Sequence, residues 1–273
     1  MDWLLEPFAE PFQVRALLAG ILVVVTTSVV GTWVVVRGMS FLGDALAHGV
    51  LPGVTAAILF GFDPLIGAAL SAVVMVAGIN LIHRRSALGE DTGIGLLFVG
   101  MLALGVILIS RTASYSNSLT AILFGNLLGT TTSDLGILTA VGALAVAGST
   151  IFYRPFLALS FNRDKAAVLG LRPNLAHAAM LGLVTIAIVG SYRSVGSLLV
   201  FALLVAPPAT ASLTARKMPS TMLTALGYGI LSVSLGLLLS YHFDTAAAAT
   251  IAAVAVTVFF VVLLAQRRPV STS

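Results

Sequence analysis

The sequence contains no cysteine and few charged residues. The lack of cysteine excludes disulfide frameworks and thiolate metal clusters. Charged residues make up 9% of the chain, whereas hydrophobic residues make up 59% and the mean hydropathy is +1.09. These values lie far outside the range of soluble globular proteins. The composition therefore indicates an integral membrane protein.

Several functional motifs are also absent from the sequence. There is no G-x-x-x-x-G-K-[ST] loop for a nucleotide, so any ATP-driven motor must be another polypeptide. The absence of H-E-x-x-H and G-x-S-x-G argues against an intramembrane metalloprotease and a serine hydrolase. The net charge of +4 comes from scattered basic residues, which does not indicate a nucleic-acid partner.

Long apolar runs predict an all-α, polytopic transmembrane helical bundle. A bilayer core of about 30 Å needs roughly 20 apolar residues per helix. Eight or nine spans are expected, of which the third and fifth are the least secure. A possible re-entrant or interfacial segment lies near 119–130, too short to cross alone. The candidate spans are about 14–36, 40–60, 64–82, 92–110, 133–152, 175–192, 195–214, 219–240 and 245–265.

The arginines and lysines predict the orientation of these spans. When the spans are laid end to end, one side collects most of the basic residues and the other only Arg15, Arg111 and Arg193. The positive-inside rule makes the basic side cytoplasmic, so we expect an external N-terminus and a cytoplasmic C-terminus. The chain 1–273 reads as a single membrane domain whose longest polar connection, 153–174, lies on the cytoplasmic side.

The stretch GDALAHGVLPG places a carboxylate and an imidazole inside an apolar run. Asp44 is expected roughly 10 Å into the bilayer and His48 roughly 16 Å, on one face of a helix. Pro52 cannot donate to the carbonyl of His48, which predicts a kink and a free carbonyl oxygen. Carboxylate, imidazole and carbonyl groups suit Mn²⁺, Zn²⁺ or Fe²⁺. The alternative is that Asp44 and His48 neutralise each other or fasten two helices.

A second candidate segment is LLVFALLVAPPATAS, which begins at Leu198. Pro207 and Pro208 cannot donate to the carbonyls of Leu203 and Leu204, near the centre of the seventh span. These carbonyls are expected to line a cavity or to meet a neighbouring helix. An ordinary proline kink packed against another helix is the alternative.

Small residues and the remaining histidines carry weaker signals. The spacing of Gly49 with Gly53, and of Gly125 with Gly129, favours close helix packing. His177 falls near a cytoplasmic interface, where we expect it to be solvated.

Three blocks of the sequence carry a resemblance to a known family. RGMSFLGDALAHGVLPG, DKAAVLGL and VGSLLVFALLVAPPATA resemble, in order and spacing, the bacterial ABC-type manganese, zinc and iron uptake permeases. Members of that family typically read R-R-M-S-F-x-G-D-A-x-S-H-A-x-L-P-G in the first block. The first block departs from that pattern at Gly38, Ala47 and Gly49.

The resemblance implies a function and a set of partners. Asp44 and His48 match residues thought to coordinate the transported metal, Mn²⁺ or Zn²⁺, and no resident cofactor is implied. Residues of the coupling loop match the segment that docks on a cytoplasmic ABC ATPase: Asp164, Lys165, Ala166 and Gly170. A homodimer in the lipid of a bacterial cytoplasmic membrane and an extracytoplasmic metal-binding protein would complete the importer.

Two other functions remain open. The pair could serve a proton-coupled secondary metal transporter, which needs no ATPase. An intramembrane metallohydrolase is a weaker alternative, because such zinc sites usually have three ligands and a water.

Overall fold

The computed structural model describes residues 7, 10–85, 90–110, 125–161 and 163–266. These residues form eleven α-helices and one short 3₁₀ turn, Leu127–Gly129. In chain order the helices are α1 (Pro11–Val36), α2 (Ser40–Gly49), α3 (Leu51–Phe60), α4 (Pro64–Arg85), α5 (Glu90–Ile109), α6 (Thr132–Ile151), α7 (Tyr153–Phe161), α8 (Arg163–Val168), α9 (Pro173–Thr214), α10 (Met218–Phe243) and α11 (Ala247–Ala265).

Local sequence signals define where several helices begin. Proline occupies the first turn of α1, α4, α9 and α10, where its missing N–H is not needed. Helix α6 begins with a capping box: the Thr131 hydroxyl accepts from the Asp134 N–H, and the Asp134 carboxylate accepts from the Thr131 N–H. This satisfies two of the unpaired donors at the helix start.

Nine stretches within the described residues are long and apolar enough to cross a membrane. They coincide with the nine spans predicted from the sequence, which confirms the helical bundle, including the less secure third and fifth spans. Of the possible re-entrant segment, 119–124 lies outside the described residues. Its remainder holds the 3₁₀ turn, where the Asn126 side chain accepts from the Gly129 N–H.

Helix α9 contains two spans that reverse direction at Gly196. This residue has φ 77° and ψ 162°, a non-helical conformation. Near the start of α9, His177 contacts Arg37, which follows α1. Near the end of α9, Ser212 lines a cavity of about 240 Å³ together with Val36, the last residue of α1. Both ends of α9 therefore meet the same end of α1. We call this end, which also holds Arg216, the basic end of the bundle.

Glycines allow very close contact between helices. A Cβ atom on Gly53 of α3 would overlap the Gly67 carbonyl of α4, and a Cβ on Gly67 would overlap the Gly53 carbonyl. Gly49 of α2 is similarly covered by the Met75 sulfur of α4. The close packing predicted for Gly49 and Gly53 is therefore confirmed.

The second glycine pair, Gly125 and Gly129, does not bring two helices together as predicted. Gly129 lies in the 3₁₀ turn, where a Cβ would meet the side chain of Asn126 rather than another helix. Gly125 precedes that turn with φ 61°, and its neighbour is the backbone of Gly196. The i, i+4 spacing implied a helix, but the chain forms a turn that packs on the reversal of α9.

Candidate metal-binding site

A helix break positions the predicted Asp44–His48 pair. Helix α2 ends at Gly49 and α3 begins at Leu51, so the interruption predicted from Pro52 is present. Pro52 lies in the first turn of α3, where proline is well tolerated. The predicted free carbonyl of His48 was wrong, because the Val50 N–H bonds to it. The tight turn at Val50 supplies the donor that the proline cannot.

Helix α4 holds this break in place. The Ser71 hydroxyl donates to the Gly49 carbonyl at 2.8 Å. That carbonyl lies at the end of α2, where backbone oxygens lack partners within their own helix. Since Met75 covers Gly49 one turn further along α4, the end of α2 is fixed by both a hydrogen bond and packing.

The side chains of Asp44 and His48 contact each other on one face of α2. The His48 Nδ1 atom lies 3.2 Å from the Asp44 Oδ1 atom and 3.1 Å from the Asp44 carbonyl oxygen. Both neighbours are acceptors, so they favour the form of His48 that carries its proton on Nδ1. In the neutral imidazole this leaves the lone pair of Nε2 for a cation. Metal-binding histidines commonly donate their other ring N–H to a carboxylate or a carbonyl in this way.

An aromatic wall supports the imidazole. The Phe98 ring of α5 meets the His48 ring edge-to-face, with centroids 5.8 Å apart and an angle of 84°. Phe41, one turn before Asp44, packs on the same Phe98 ring at 5.5 Å. The ring of His48 is thus oriented by Asp44 on one side and by Phe98 on the other.

The pair remains partly accessible. The exposed fraction is 24% for the His48 side chain and 26% for that of Asp44. Among the described residues, no group of three or more histidine, cysteine, aspartate or glutamate side chains could hold a metal ion. The Asp44–His48 pair offers an imidazole nitrogen and a carboxylate oxygen, and such an open site suits an ion that must leave again.

The proline segment of α9 packs against the helix that carries Asp44. A Cβ on Gly43 would meet the side chains of Leu204 and Phe201, so α2 and α9 are in close contact next to Asp44. The Leu204 carbonyl, which Pro208 cannot reach as a donor, lies against Gly31 of α1. The expectation that this carbonyl meets a neighbouring helix is confirmed. The side chains of Leu203 and Leu204 are fully buried, as are Pro207 and Pro208.

The predicted coupling loop forms two short helices, α7 and α8, at the basic end. Helix α8 includes Asp164, Lys165 and Ala166, and the Ala166 side chain is buried. Val168, the last residue of α8, and Leu169, which follows it, are apolar and strongly exposed, at 89% and 68%. Gly170 then turns the chain with φ 71°.

The burial of His177 was not predicted from the sequence. We expected it to be solvated, but its exposed fraction is only 4%. The Arg37 guanidinium donates to its Nδ1 atom at 3.2 Å and lies 3.6 Å from the Met180 sulfur. The arginine that opens the RGMSF block takes part in this contact, but the sequence does not identify its partner 140 residues away.

A multi-pass helical bundle with a carboxylate–imidazole pair inside a spanning segment is the architecture of a membrane transport protein. Residues 9–266 match the model of the ABC 3 transport family, so the chain belongs to that family. It is similar to the manganese transport system membrane protein MntC of Listeria innocua, with 36% identity over 93% of this chain and 90% of the relative.

One further relative and one solved structure are also similar to this chain. The chelated iron transport system membrane protein YfeD of Yersinia pestis is 33% identical over 95% of this chain and 86% of the relative. The solved structure of PsaBC from Streptococcus pneumoniae in complex with Fab superimposes with a TM-score of 0.83. The match has 34% identity and covers 96% of this chain and 94% of that one.

Proposed function

We propose that this chain is the membrane-spanning permease of an ATP-driven importer of divalent metal ions. Its family membership and its similarity to permeases named for manganese and chelated iron transport support this function. The observation that carries the proposal is the Asp44–His48 contact inside a spanning segment. Ionisable groups at such depth are costly and usually serve transport.

In this function Asp44 and His48 hold the ion transiently. His48 offers Nε2, while the Asp44 carboxylate fixes the ring and lends negative charge to the site. Borderline and hard cations such as Mn²⁺ and Zn²⁺ accept both ligand types. So few protein ligands leave coordination positions for water, which allows the ion to be released on the cytoplasmic side.

The helix break and the proline segment form the mobile part of the path. Pro52 lies in the first turn of α3, beyond the Asp44–His48 pair. Pro207 and Pro208 follow Leu204, whose side chain lies against Gly43 of the helix that carries the pair. Because a proline donates no backbone hydrogen bond, each segment can bend with less loss of hydrogen bonds than a regular helix. Bending here would change access to Asp44 and His48.

ATP hydrolysis takes place on a separate ABC ATPase, since the sequence has no nucleotide loop. The ATPase docks on α8 and the turn after it, which contain Asp164, Lys165, Ala166 and Gly170. Exposed Val168 and Leu169 add an apolar contact surface there. The permease itself performs no covalent chemistry.

The complete importer has two copies of this chain, two ATPases and an extracytoplasmic metal-binding protein. It resides in a bacterial cytoplasmic membrane, with the N-terminus outside and the C-terminus and the basic end inside. The distribution of arginine and lysine supports this orientation.

Uptake by whole cells tests this function against a secondary carrier. Cells lacking their own importers would express the chain with its ATPase and binding protein, and uptake of isotopic manganese and zinc would be measured. We expect uptake to stop when ATP is depleted and to continue when an ionophore collapses the proton gradient. Uptake that follows the proton gradient instead would contradict an ATP-driven permease.

A further inference from the structure

A cavity at the basic end lies apart from the Asp44–His48 pair. It has a volume of about 240 Å³ and lies between the end of α1, α7 and the connection from α9 to α10. Among the residues that the structure describes, none of α2 and none of α8 contributes to its lining. The proposed metal path and the proposed ATPase contact therefore leave this cavity without a function.

Two basic side chains line the cavity from the connection between α9 and α10. Arg216 and Lys217 follow each other in the sequence, and both are exposed. No carboxylate of the described residues lines the cavity, and none forms an ion pair with either side chain. Two adjacent cations without a counterion create a positive potential, which favours an anionic ligand.

The hydroxyl groups around the cavity are already engaged. The Ser160, Ser212 and Thr221 hydroxyls each donate to a backbone carbonyl of the preceding turn, at 2.9, 2.7 and 3.1 Å. A hydroxyl has one proton to donate, so these groups offer a ligand only their acceptor lone pairs. Arg216 and Lys217 are the charged donors among the described lining residues, and they select for negative charge.

The cavity lies at the depth of the membrane surface. Val36 is the last residue of the first span, and Met218 is the first residue of the eighth. Both line the cavity together with Phe161, which is 83% exposed. The two cations are thus placed beside apolar surface at the boundary between the bilayer core and water. A phospholipid has the matching arrangement, since its phosphate lies close to its acyl chains.

The connection that carries the cations is fixed at both ends. The Ala215 N–H donates to the Ala211 carbonyl, and the Thr221 N–H donates to the Lys217 carbonyl, both at 2.8 Å. The Gln266 side chain also donates to a carbonyl in the last turn of α9, at 2.7 Å. A site held in this way loses less conformational entropy when it binds a ligand than a mobile loop would.

We propose that this cavity binds the phosphate group of an anionic phospholipid, with Arg216 and Lys217 against the phosphate and the acyl chains beside Val36 and Phe161. Basic pockets between transmembrane helices on the cytoplasmic side bind lipid headgroups, and the cytoplasmic leaflet is rich in anionic lipid. The proposal requires that the basic end lies at this leaflet, and it does not depend on metal transport. It applies to the assembled importer, because no described residue of α8 lines the cavity.

Lipid titrations of the full-length chain test this site. The permease, purified in a non-ionic detergent, would be titrated with phosphatidylglycerol while its thermal transition temperature is measured. We expect a saturable rise for the wild type that neither phosphatidylcholine nor inorganic phosphate produces. In the double variant Arg216→Gln/Lys217→Gln, the mole fraction of phosphatidylglycerol at half saturation should increase about thirtyfold.

The matched control is Arg154→Gln/Arg172→Gln, which removes two positive charges from the same end of the bundle. Both arginines are exposed and neither lines the cavity, so we expect the half-saturation point of the wild type. Ser212→Phe is the complementary variant, because it fills the cavity but keeps both cations. It should lose the saturable response.

Each arm of the experiment can overturn this inference. No rise with phosphatidylglycerol, or equal weakening by the control pair, would show that the cavity does not select this lipid. An equal response to inorganic phosphate would assign the cavity to a free anion, and an unaltered response of Ser212→Phe would place the lipid elsewhere. The assembled importer must show the same rise, since a rise abolished by the ATPase would assign the cavity to the ATPase contact. No transport is measured, so such a failure leaves the proposed function intact.

Discussion

Arg37 and His177 are 140 residues apart in the sequence and 3.2 Å apart in the structure. Arg37 follows α1 and precedes the helix that carries Asp44, whereas His177 lies in the first turns of α9, shortly after the coupling segment. Since a guanidinium can only donate, His177 must accept on Nδ1 and carry its proton on Nε2. The contact ties the start of the Asp44 helix to the element that follows α8.

Replacing Arg37 tests the weight of this contact. Arg37→Gln is expected to lower the free energy of unfolding by about 2 kcal/mol, because it removes a hydrogen bond from a charged donor to a buried ring. Thermal unfolding in detergent measures the effect. Arg154→Gln changes an exposed arginine at the same end and should leave the transition temperature unchanged. Equal effects of the two substitutions would mean that Arg37 acts only through its charge.

The contact between Gly53 and Gly67 leaves no room for a methyl group. Gly53→Ala is expected to destabilise the protein by about 3 kcal/mol, because the new Cβ would overlap a backbone carbonyl of α4 that cannot move aside easily. The measurement is the thermal transition of the purified permease. Gly100→Ala provides the control, since nothing lies within 4 Å of its Cβ position and alanine is the better helix former. A stable Gly53→Ala protein would show that α3 and α4 can separate freely.

The reversal of α9 depends on the backbone of Gly196. With φ 77° and ψ 162°, this residue adopts a conformation that is essentially restricted to glycine. Gly196→Ala should cost about 1–3 kcal/mol, because it strains the reversal on which Gly125 packs. Gly227→Ala, in open space on α10, should leave the stability unchanged. Wild-type stability of Gly196→Ala would contradict the reversal at this residue.

The Trp33 indole donates to the Ser149 hydroxyl at 2.7 Å and joins α1 to α6. Ser149→Ala should leave this buried N–H without its partner and lower the free energy of unfolding by about 1–3 kcal/mol. Thr150→Ala is the matched control, because that hydroxyl is exposed and bonds only to its own helix at Ala147. Chemical unfolding curves for the two variants should differ; if they coincide, the indole finds another acceptor.

The sequence was sufficient for features that depend on near neighbours. Hydrophobic runs predicted all nine spans, since membrane insertion depends mainly on the average composition of each helix. The i, i+4 spacing brought Asp44 and His48 together because α2 is a regular helix there. Pro52 marked the break between α2 and α3 for the same local reason.

Features that depend on distant neighbours were not predictable in this way. The burial of His177 follows from Arg37, which approaches it from another helix. The carbonyl of His48 was expected to be free because a continuous helix was assumed, but the tight turn at Val50 provides another donor.

The central claim is that Asp44 and His48 hold the transported ion. The most direct measurement is isotopic manganese and zinc uptake by cells that express the complete importer with Asp44→Asn or His48→Gln, compared with Asp63→Asn. Asp63 is an exposed acid that accepts from the Leu65 N–H, and asparagine can do the same. We predict that both site variants lose uptake at normal membrane levels, while Asp63→Asn keeps it. Normal uptake by both site variants would show that the pair only fastens the helix.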